Sequence, residues 1–535
     1  MKEHFRQSMA WLHTWAGLVA GWVLFFVFVT GSAAYFHMEI TRWMQPEMPL
    51  RSQAQHPPAA TMVKTAVDFL ARQPDAARAW TITLPANGER IGCGTSCGGL
   101  LRGYPSDLKV SWADRKEWLH GVTGRLLPLP PVSRATEGGD TFLHMHYMLH
   151  YVNQGELIVA LCTMLALLAV ITGVIVHKKI FKDFFTFRAG KGQRSWLDAH
   201  NLTGVMALPF FVMVLYSGLL LQGYMPKPLL SPPKAEKAAA PEVLAPPRTV
   251  DLAAIPATRI VEQAESRLGQ GEIGKVAFKQ SGGEVPSVVV SRHWGVENPF
   301  SKEEALAKRR AGELHFNAET GELLPNVLDA APAWEGRWWL VAAHYGWFAS
   351  APLRWLYFLS GLLGCAMIAT GMVLWAVKRR ARHEKEGSVP PFGLRLVERL
   401  NVGVLVGLPV GVAAYFWANR LLPVTMFERA DWEVHALFLT WAWVLLYAML
   451  RPTGKAWTET LWLATAAFGL IPLLNWLTTD KHLGVTIPHG DWVLAGVDLT
   501  MLALAALFGA VAWKLGRKWS TQTGSKAFAL QEASA

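Results

Sequence analysis

Eight apolar blocks break up the 535-residue chain, at Trp11–Phe36, Leu157–Val176, Leu202–Leu221, Leu353–Val377, Val402–Trp417, Trp432–Leu450, Trp457–Trp476 and Trp492–Trp513. Each approaches the roughly 20 residues that a helix needs to cross a bilayer. Lipid offers no partner to backbone N–H and C=O groups, so such blocks have to be helices. Hydrophobic residues make up 52% of the chain and charged residues 17%. With the apolar residues gathered into blocks, that balance excludes an ordinary soluble protein. Pro409 interrupts the fifth block, where it predicts a kink and not a break in the span. The first block has Lys2 and Arg6 ahead of it and Ser32-Ala33-Ala34 behind, as a signal peptide would. Its length, its tryptophans and His13 favour a retained anchor.

The formal charge of +11 suggests nucleic acid until the placement of the charges is considered. Lys and Arg flank the apolar blocks, as HKKIFKDFFTFRAGKGQR (177–194), KRRARHEKEG (378–387), RPTGK (451–455) and KLGRK (514–518). With eight spans, all four runs fall on one side. The positive-inside rule makes that side the cytoplasm and puts both termini there. The expected setting is a bacterial inner membrane, with the lipid bilayer as partner and no nucleic acid.

Two long polar segments then face outward. The first carries a helical stretch near Thr61–Arg72, strands in AWTITLP and LKVSWAD, and a turn and strand in HGVTGRLL. The second opens on the low-complexity linker PKPLLSPPKAEKAAAPEVLAPP, followed by a helix in ATRIVEQAESRL and strands in KVAFKQ, PSVVVSR and ELHFNAETGELL. The expected fold class is an all-α polytopic membrane protein carrying two small extracytoplasmic α+β modules. Its divisions are a first span (1–37), an outer module (38–140), spans two and three (141–222), a linker with the second module (223–343), and span four (344–380). A cytoplasmic linker (381–397), four further spans (398–518) and a tail (519–535) complete it. Cys162 and Cys365 lie in apolar blocks and read as packing residues. Cys93 and Cys97, in GCGTSCGG, are too widely spaced for covalent haem attachment. They suit a local disulfide better than a metal pair, which would want a second pair of ligands.

The first four blocks repeat internally. LHTWAGLV…VTGSAAYF matches AHNLTGVM…YSGLLLQG, pairing His13 with His200 and Gly31 with Gly218. MHYMLHYV…VITGVIV matches AHYGWFAS…IATGMVL, pairing His146 with His344 and Thr172-Gly173 with Thr370-Gly371. The unit is thus a helix hairpin used twice. His13 and His200 fall near the cytoplasmic ends of their blocks, and His146 and His344 just before theirs at the outer face. A lone histidine at a membrane edge is usually a bland interfacial residue. Two matched pairs, one at each face, need a partner or a task. Zinc would want added Cys, Asp or Glu ligands, and a proton relay would want acids along the helices; neither is present. Two non-covalent b haems fit, with His13 and His200 on one iron and His146 and His344 on the other. Gly17 and Gly204, four residues after His13 and His200, would clear room for a macrocycle. His150 and His177 are the alternate ligands. Among the last four blocks, Glu433 and His435 sit near the outer end of the sixth, Asp498 within the eighth reads as an interhelical contact, and His482 and His489 read as solvated loop residues.

LHTWAGL with its following TG, LHMHYMLH, the TG closing the second block and HYGWF together resemble the PepSY-associated transmembrane helix family, over roughly residues 1–380. TGRLL and NAETGELL resemble its PepSY-type α+β modules. Iron-regulated members of that family are similar to inner-membrane ferric-siderophore reductases with two b-type haems. The resemblance implies an oxidoreductase passing electrons from the cytoplasmic side to a periplasmic ferric siderophore or other ferric chelate, near periplasmic iron-uptake proteins. No flavin or nicotinamide motif is present, so the donor is a separate cytoplasmic reductase or membrane quinol. The four extra helices and GCGTSCGG depart from the family pattern. Two other readings remain: a non-catalytic PepSY scaffold that binds a peptide or partner protein, and a permease for an iron chelate.

Overall fold

The computed structural model describes residues 2–47, 50, 57–85, 107–127, 134–151, 153–177, 187–188, 190–222, 250–271, 273–280, 285–292, 313–324, 332–346, 349 and 351–532. Cys93, Cys97 and the Pro-rich linker lie outside them. Among the described residues, seven helices are long and apolar enough to cross a membrane, and an eighth span arises if one bent helix pair counts as one. Mostly helical, multi-pass and carrying a small antiparallel sheet, the chain has the expected class.

Helix α1 (Lys2–Ala34) is followed by the short α2 (His37–Met44), then by α3 (Ala59–Leu70) and strands β1 (Ala79–Thr83), β2 (Asp107–Trp112) and β3 (Arg115–His120). A short α4 (Asp140–Met148) precedes the long α5 (Gln154–Val176). The second half repeats this with α6 (Gln193–Met206), α7 (Leu208–Leu221), α8 (Ala257–Leu268), β4 (Ile273–Lys279), β5 (Ser287–Arg292), β6 (Glu313–Asn317), α9 (Pro332–Tyr345) and α10 (Ala351–Glu386). The C-terminal helices are α11 (Phe392–Leu405), α12 (Gly407–Leu421), α13 (Arg429–Leu450), α14 (Thr453–Gly469), α15 (Ile471–Thr478), α16 (Leu483–Thr486) and α17 (Trp492–Glu532).

The third apolar block, Leu202–Leu221, differs from the expected continuous span. It breaks at Ala207 into α6 and α7, bent by 67°. Pro209 lacks the N–H that would continue the ladder, and its ring crowds the carbonyl one turn back. Pro409 and Pro472 fall in the same place, just inside α12 and α15, but those pairs pass as single spans, Phe392–Leu421 and Thr453–Thr478.

The two outer modules are not separate. Their strands form one six-stranded antiparallel sheet in the order β3-β2-β1-β4-β5-β6. The seam is β1 against β4, with Trp80 opposite Phe278 and Ile82 opposite Val276. Each module contributes a helix followed by three strands, and joining them through their first strands relates the halves by a two-fold axis. Alternation explains the core. Trp80, Ile82, Leu108, Val110, Val276, Phe278, Val288, Val290 and Phe316 all turn to the face covered by α3 and α8. The TG turns match as well. Gly124 (φ 65°) and Gly321 (φ 70°) take left-handed backbone that a side chain would strain, and each returns the chain to a bridge, Leu119–Leu126 and Phe316–Leu323.

The C-terminal helices are fastened to the repeat from both ends. On the side of the 378–387 basic run, Arg380 makes a two-pronged 2.5 Å pair with Glu398, and Asn401 bridges the Trp22 indole (3.1 Å) and the Met372 carbonyl (3.3 Å). On the opposite side, α2 carries Arg42 onto Asp491 (2.8 and 2.5 Å) and the Trp43 indole onto Asp498 (3.0 Å). Asp498 also accepts from Asn475 at 2.9 Å, so the reading of it as an interhelical contact stands.

Trp80 and Phe278 stack across the seam at 5.6 Å, both buried. Phe278→Ala should destabilise the outer unit by about 3–5 kcal/mol. Because one core serves both modules, denaturant unfolding followed by fluorescence and by proteolysis of either module should give coincident transitions; two separate transitions would contradict a shared sheet.

Candidate functional site

The four histidines of the repeat come together as two pairs. His13 on α1 and His200 on α6 have ring centroids 6.2 Å apart, and His146 on α4 and His344 on α9 have theirs 6.0 Å apart. Helix α1 serves both levels. His13 is on it, and the carbonyl that receives His146 belongs to its Val27. From residue 13 to residue 27 is about 21 Å of helical rise, so the pairs lie at two well-separated depths.

Each ring is held from behind. His13 Nδ1 lies 2.8 Å from the Ala169 carbonyl, His200 Nδ1 2.8 Å from that of Met367 and His146 Nδ1 2.9 Å from that of Val27. A carbonyl only accepts, so in these three Nδ1 carries the proton and Nε2 keeps its lone pair. His344 Nδ1 lies 2.9 Å from Ser217 Oγ, whose own proton goes to the Met213 carbonyl at 2.5 Å. The serine oxygen therefore accepts, and His344 is the same tautomer. Among the described residues no group hydrogen-bonds the Nε2 of any of the four. A ring nitrogen tied to an acceptor with its opposite nitrogen left free is the usual state of an imidazole that ligates a metal.

The glycines explain why the rings fit, and they are not the ones first singled out. A methyl carbon on Gly31 would lie 2.5 Å from His146 Nδ1, on Gly173 3.0 Å from His13 Cε1, on Gly371 2.9 Å from His200 Cε1, and on Gly218 3.3 Å from His344 Cε1. Each histidine thus packs against the glycine of one TG or SG step on a neighbouring helix. By contrast, Gly17 has nothing within 4 Å of such a carbon, and Gly204 faces the Met367 sulfur at 3.2 Å. The signal in the sequence is indirect: Gly31 and Gly218 keep the 187-residue spacing of His13 and His200, and Gly173 and Gly371 the 198-residue spacing of His146 and His344, so each glycine pair repeats in step with the histidines of its own segment of the repeat and supports the other pair.

Of the alternates, His150 stands away from its pair. Helix α4 ends at Met148, with Leu149 left-handed (φ 52°), so His150 (φ 60°) leaves the face that His146 occupies. Its ring packs 6.0 Å from Phe438 on α13, and its Nδ1 is buried without a hydrogen-bond partner. Burial lowers its pKa below the ordinary imidazole value, while Glu137 opposes that shift. His177 caps α5 at the His13 level and is half-buried. Among the described residues, no three His, Cys, Asp or Glu groups converge as a metal-ion cage.

If the glycines hold the rings, their replacement should be felt where Gly17 is not. Gly31→Ala should destabilise the detergent-solubilised protein by about 1–3 kcal/mol through overpacking on His146. Gly17→Ala, on an open helix face, should be neutral or stabilising by up to about 1 kcal/mol. Thermal unfolding midpoints measure both, and equal shifts would reject the packing role.

Two comparisons bear on this arrangement. The uncharacterized protein PA4219 of Pseudomonas aeruginosa is 27% identical over 402 residues, covering 71% of this chain and 95% of its own. The family described as PepSY-associated TM region matches residues 10–378, which take in both histidine pairs, all four supporting glycines and the whole sheet. The chain belongs to the PepSY-associated TM family.

Proposed function

We propose that this chain is a di-haem b oxidoreductase of the bacterial inner membrane, with both termini cytoplasmic, that passes electrons from a cytoplasmic reductase or quinol to a periplasmic ferric chelate such as a ferric siderophore. The observation that carries the reading is the doubled pair of imidazoles, each with Nδ1 tied back and Nε2 free, at two depths. The fit to haem rests on the donor set. Each pair offers two neutral nitrogens and no acid or thiol, so the other positions around an iron fall to a macrocycle. Ring centroids 6.2 and 6.0 Å apart leave the two imidazoles of each pair near enough to hold one group between them.

His13 and His200 would hold the inner group, and His146 and His344 the outer one. Haem bound there supplies one-electron chemistry at a potential set by its ligands and surroundings. The residues do the rest. Carbonyls of Ala169, Met367 and Val27, and the Ser217 hydroxyl, fix ring orientation and raise the basicity of Nε2. Apolar helix faces keep water from the ligands. The ferric chelate is the substrate, an assignment that rests on likeness to siderophore reductases and not on site geometry. Iron(II) binds hard oxygen ligands more weakly than iron(III), so reduction frees it. The 67° break between α6 and α7 favours a permease, since transporters use broken helices at their sites. Here the break is lined by Val205, Met206, Ala207 and Leu208, which offer a solute no side-chain polar group.

The purified protein should carry two extractable b haems. His13→Ala and His200→Ala should each lose one of them, and His146→Ala and His344→Ala the other. A colourless preparation, or full haem content in His13→Ala, would sink the reading. Anaerobic mixing of the dithionite-reduced protein with ferric siderophores should reoxidise it and yield ferrous–ferrozine. Reoxidation only by other acceptors would leave electron transfer standing without the iron substrate.

A further inference from the structure

The C-terminal helices lie outside the family region, which ends at residue 378. Their contacts with the repeat are not evenly shared. Helix α4, which carries His146, has its N-terminal end built into them. The Tyr415 hydroxyl on α12 donates to the Gly138 carbonyl at 2.8 Å and lies 2.9 Å from the Thr141 hydroxyl. Thr136 donates to Glu433 of α13 at 2.5 Å, and Arg429, which is itself paired with Glu433, reaches the Ala135 carbonyl at 2.8 Å. Phe142 stacks on Phe416 with centroids 6.0 Å apart. Tyr415, Arg429, Glu433 and Phe142 are all essentially inaccessible to solvent.

Helix α9, the repeat's counterpart carrying His344, is held differently. Ser217 of α7 takes the ring, and the hydroxyl of Tyr35, just past the end of α1, donates to the His344 carbonyl at 3.1 Å. The hydrogen bonds that place the His344 ring and its carbonyl thus both come from the repeat itself. The two-fold symmetry of the repeat is therefore broken at one ligand.

We infer that the C-terminal helices are a positioning element for His146, acting through Tyr415 and Glu433 on residues 136–142, and so setting the outer pair but not the inner one. This rests on the reading of His146 and His344 as haem ligands. Buried hydrogen bonds at membrane depth are costly to leave half-made, so the clamp holds α4 in one place along α1. Without it α4 would rest on α1, α2 and α5 alone, and a ring that must meet both a carbonyl and a ligand tolerates little drift.

The test uses full-length Tyr415→Phe, which keeps the ring, and Thr136→Val, with Arg380→Gln as a control that loosens the same helices at the far end. Hydrogen exchange across 138–148 should rise about five-fold in the first two, the factor that one lost hydrogen bond carries, with residues 339–345 unchanged. In the same samples the low-spin ferric EPR signal and midpoint potential of one haem should shift while the other stays put, and Arg380→Gln should move neither. Unchanged exchange at 138–148, or an equal rise at 339–345, would overturn the clamp. So would both haem signals moving together. Should the protein carry no haem, the proposed function fails and the exchange comparison still decides the clamp.

Discussion

An imidazole buried among apolar helices must give its N–H to an acceptor, and in this protein that requirement orders the rest. Three of the four acceptors are main-chain carbonyls of helices, at Ala169, Met367 and Val27. A ring reaches a helical carbonyl from outside only where the flanking surface is low. Gly173, Gly371 and Gly31 provide that one turn along, where even a methyl group would meet the ring at 3.0 Å or less. The pairing of helix to helix is thus fixed less by general apolar packing, which lipid can satisfy equally well, than by these histidine-on-glycine seats. Once α1 is seated on α5, and α6 on α10, the rings of His13 and His200 stand with centroids 6.2 Å apart.

The same duplication governs the unit outside the spans. Two three-stranded modules would each leave a first strand with an open edge, and the pairing of β1 with β4 removes both edges at once. It also ties the loop of one hairpin to the loop of the other. The sheet and the histidine pairs therefore report one pseudo-symmetry, seen at membrane depth in the rings and above it in the strands.

Against that symmetry the C-terminal helices act on one side. Beside the Glu398 and Asn401 contacts at the far end, many of their buried polar groups engage α2 and the approach to α4. Arg42 with Asp491, Trp43 with Asp498 and Thr136 with Glu433 join segments hundreds of residues apart. Such groups destabilise a membrane protein if left unpaired. Their pairing with the repeat marks the extension as part of one folded body and not as a tethered passenger.

The sequence by itself determined the spans, the repeat and which histidines correspond, because lipid demands long apolar helices and because matched spacing survives without any knowledge of contacts. It also determined five of the six strands through alternation; the third strand of the first module was expected in HGVTGRLL, where the chain makes a turn and a single bridge at Leu126, and β3 precedes it at Arg115–His120. It did not determine that the modules share a sheet, since the pairing of Trp80 with Phe278 joins residues with no local relation. It paired Gly31 with Gly218 and Gly173 with Gly371 but did not show that they seat the rings. Gly17 and Gly204 shared a helix face with their histidines and drew attention, whereas Gly31, Gly173, Gly218 and Gly371 support rings that arrive from other helices. His150 looked equivalent to His146 because four residues mean one turn, until Leu149 ended the helix between them. The break at Ala207 was not expected from the sequence, and its 67° angle depends on what the freed segment packs against. In each case the deciding contact is long-range, and only the tertiary structure brings its two halves together.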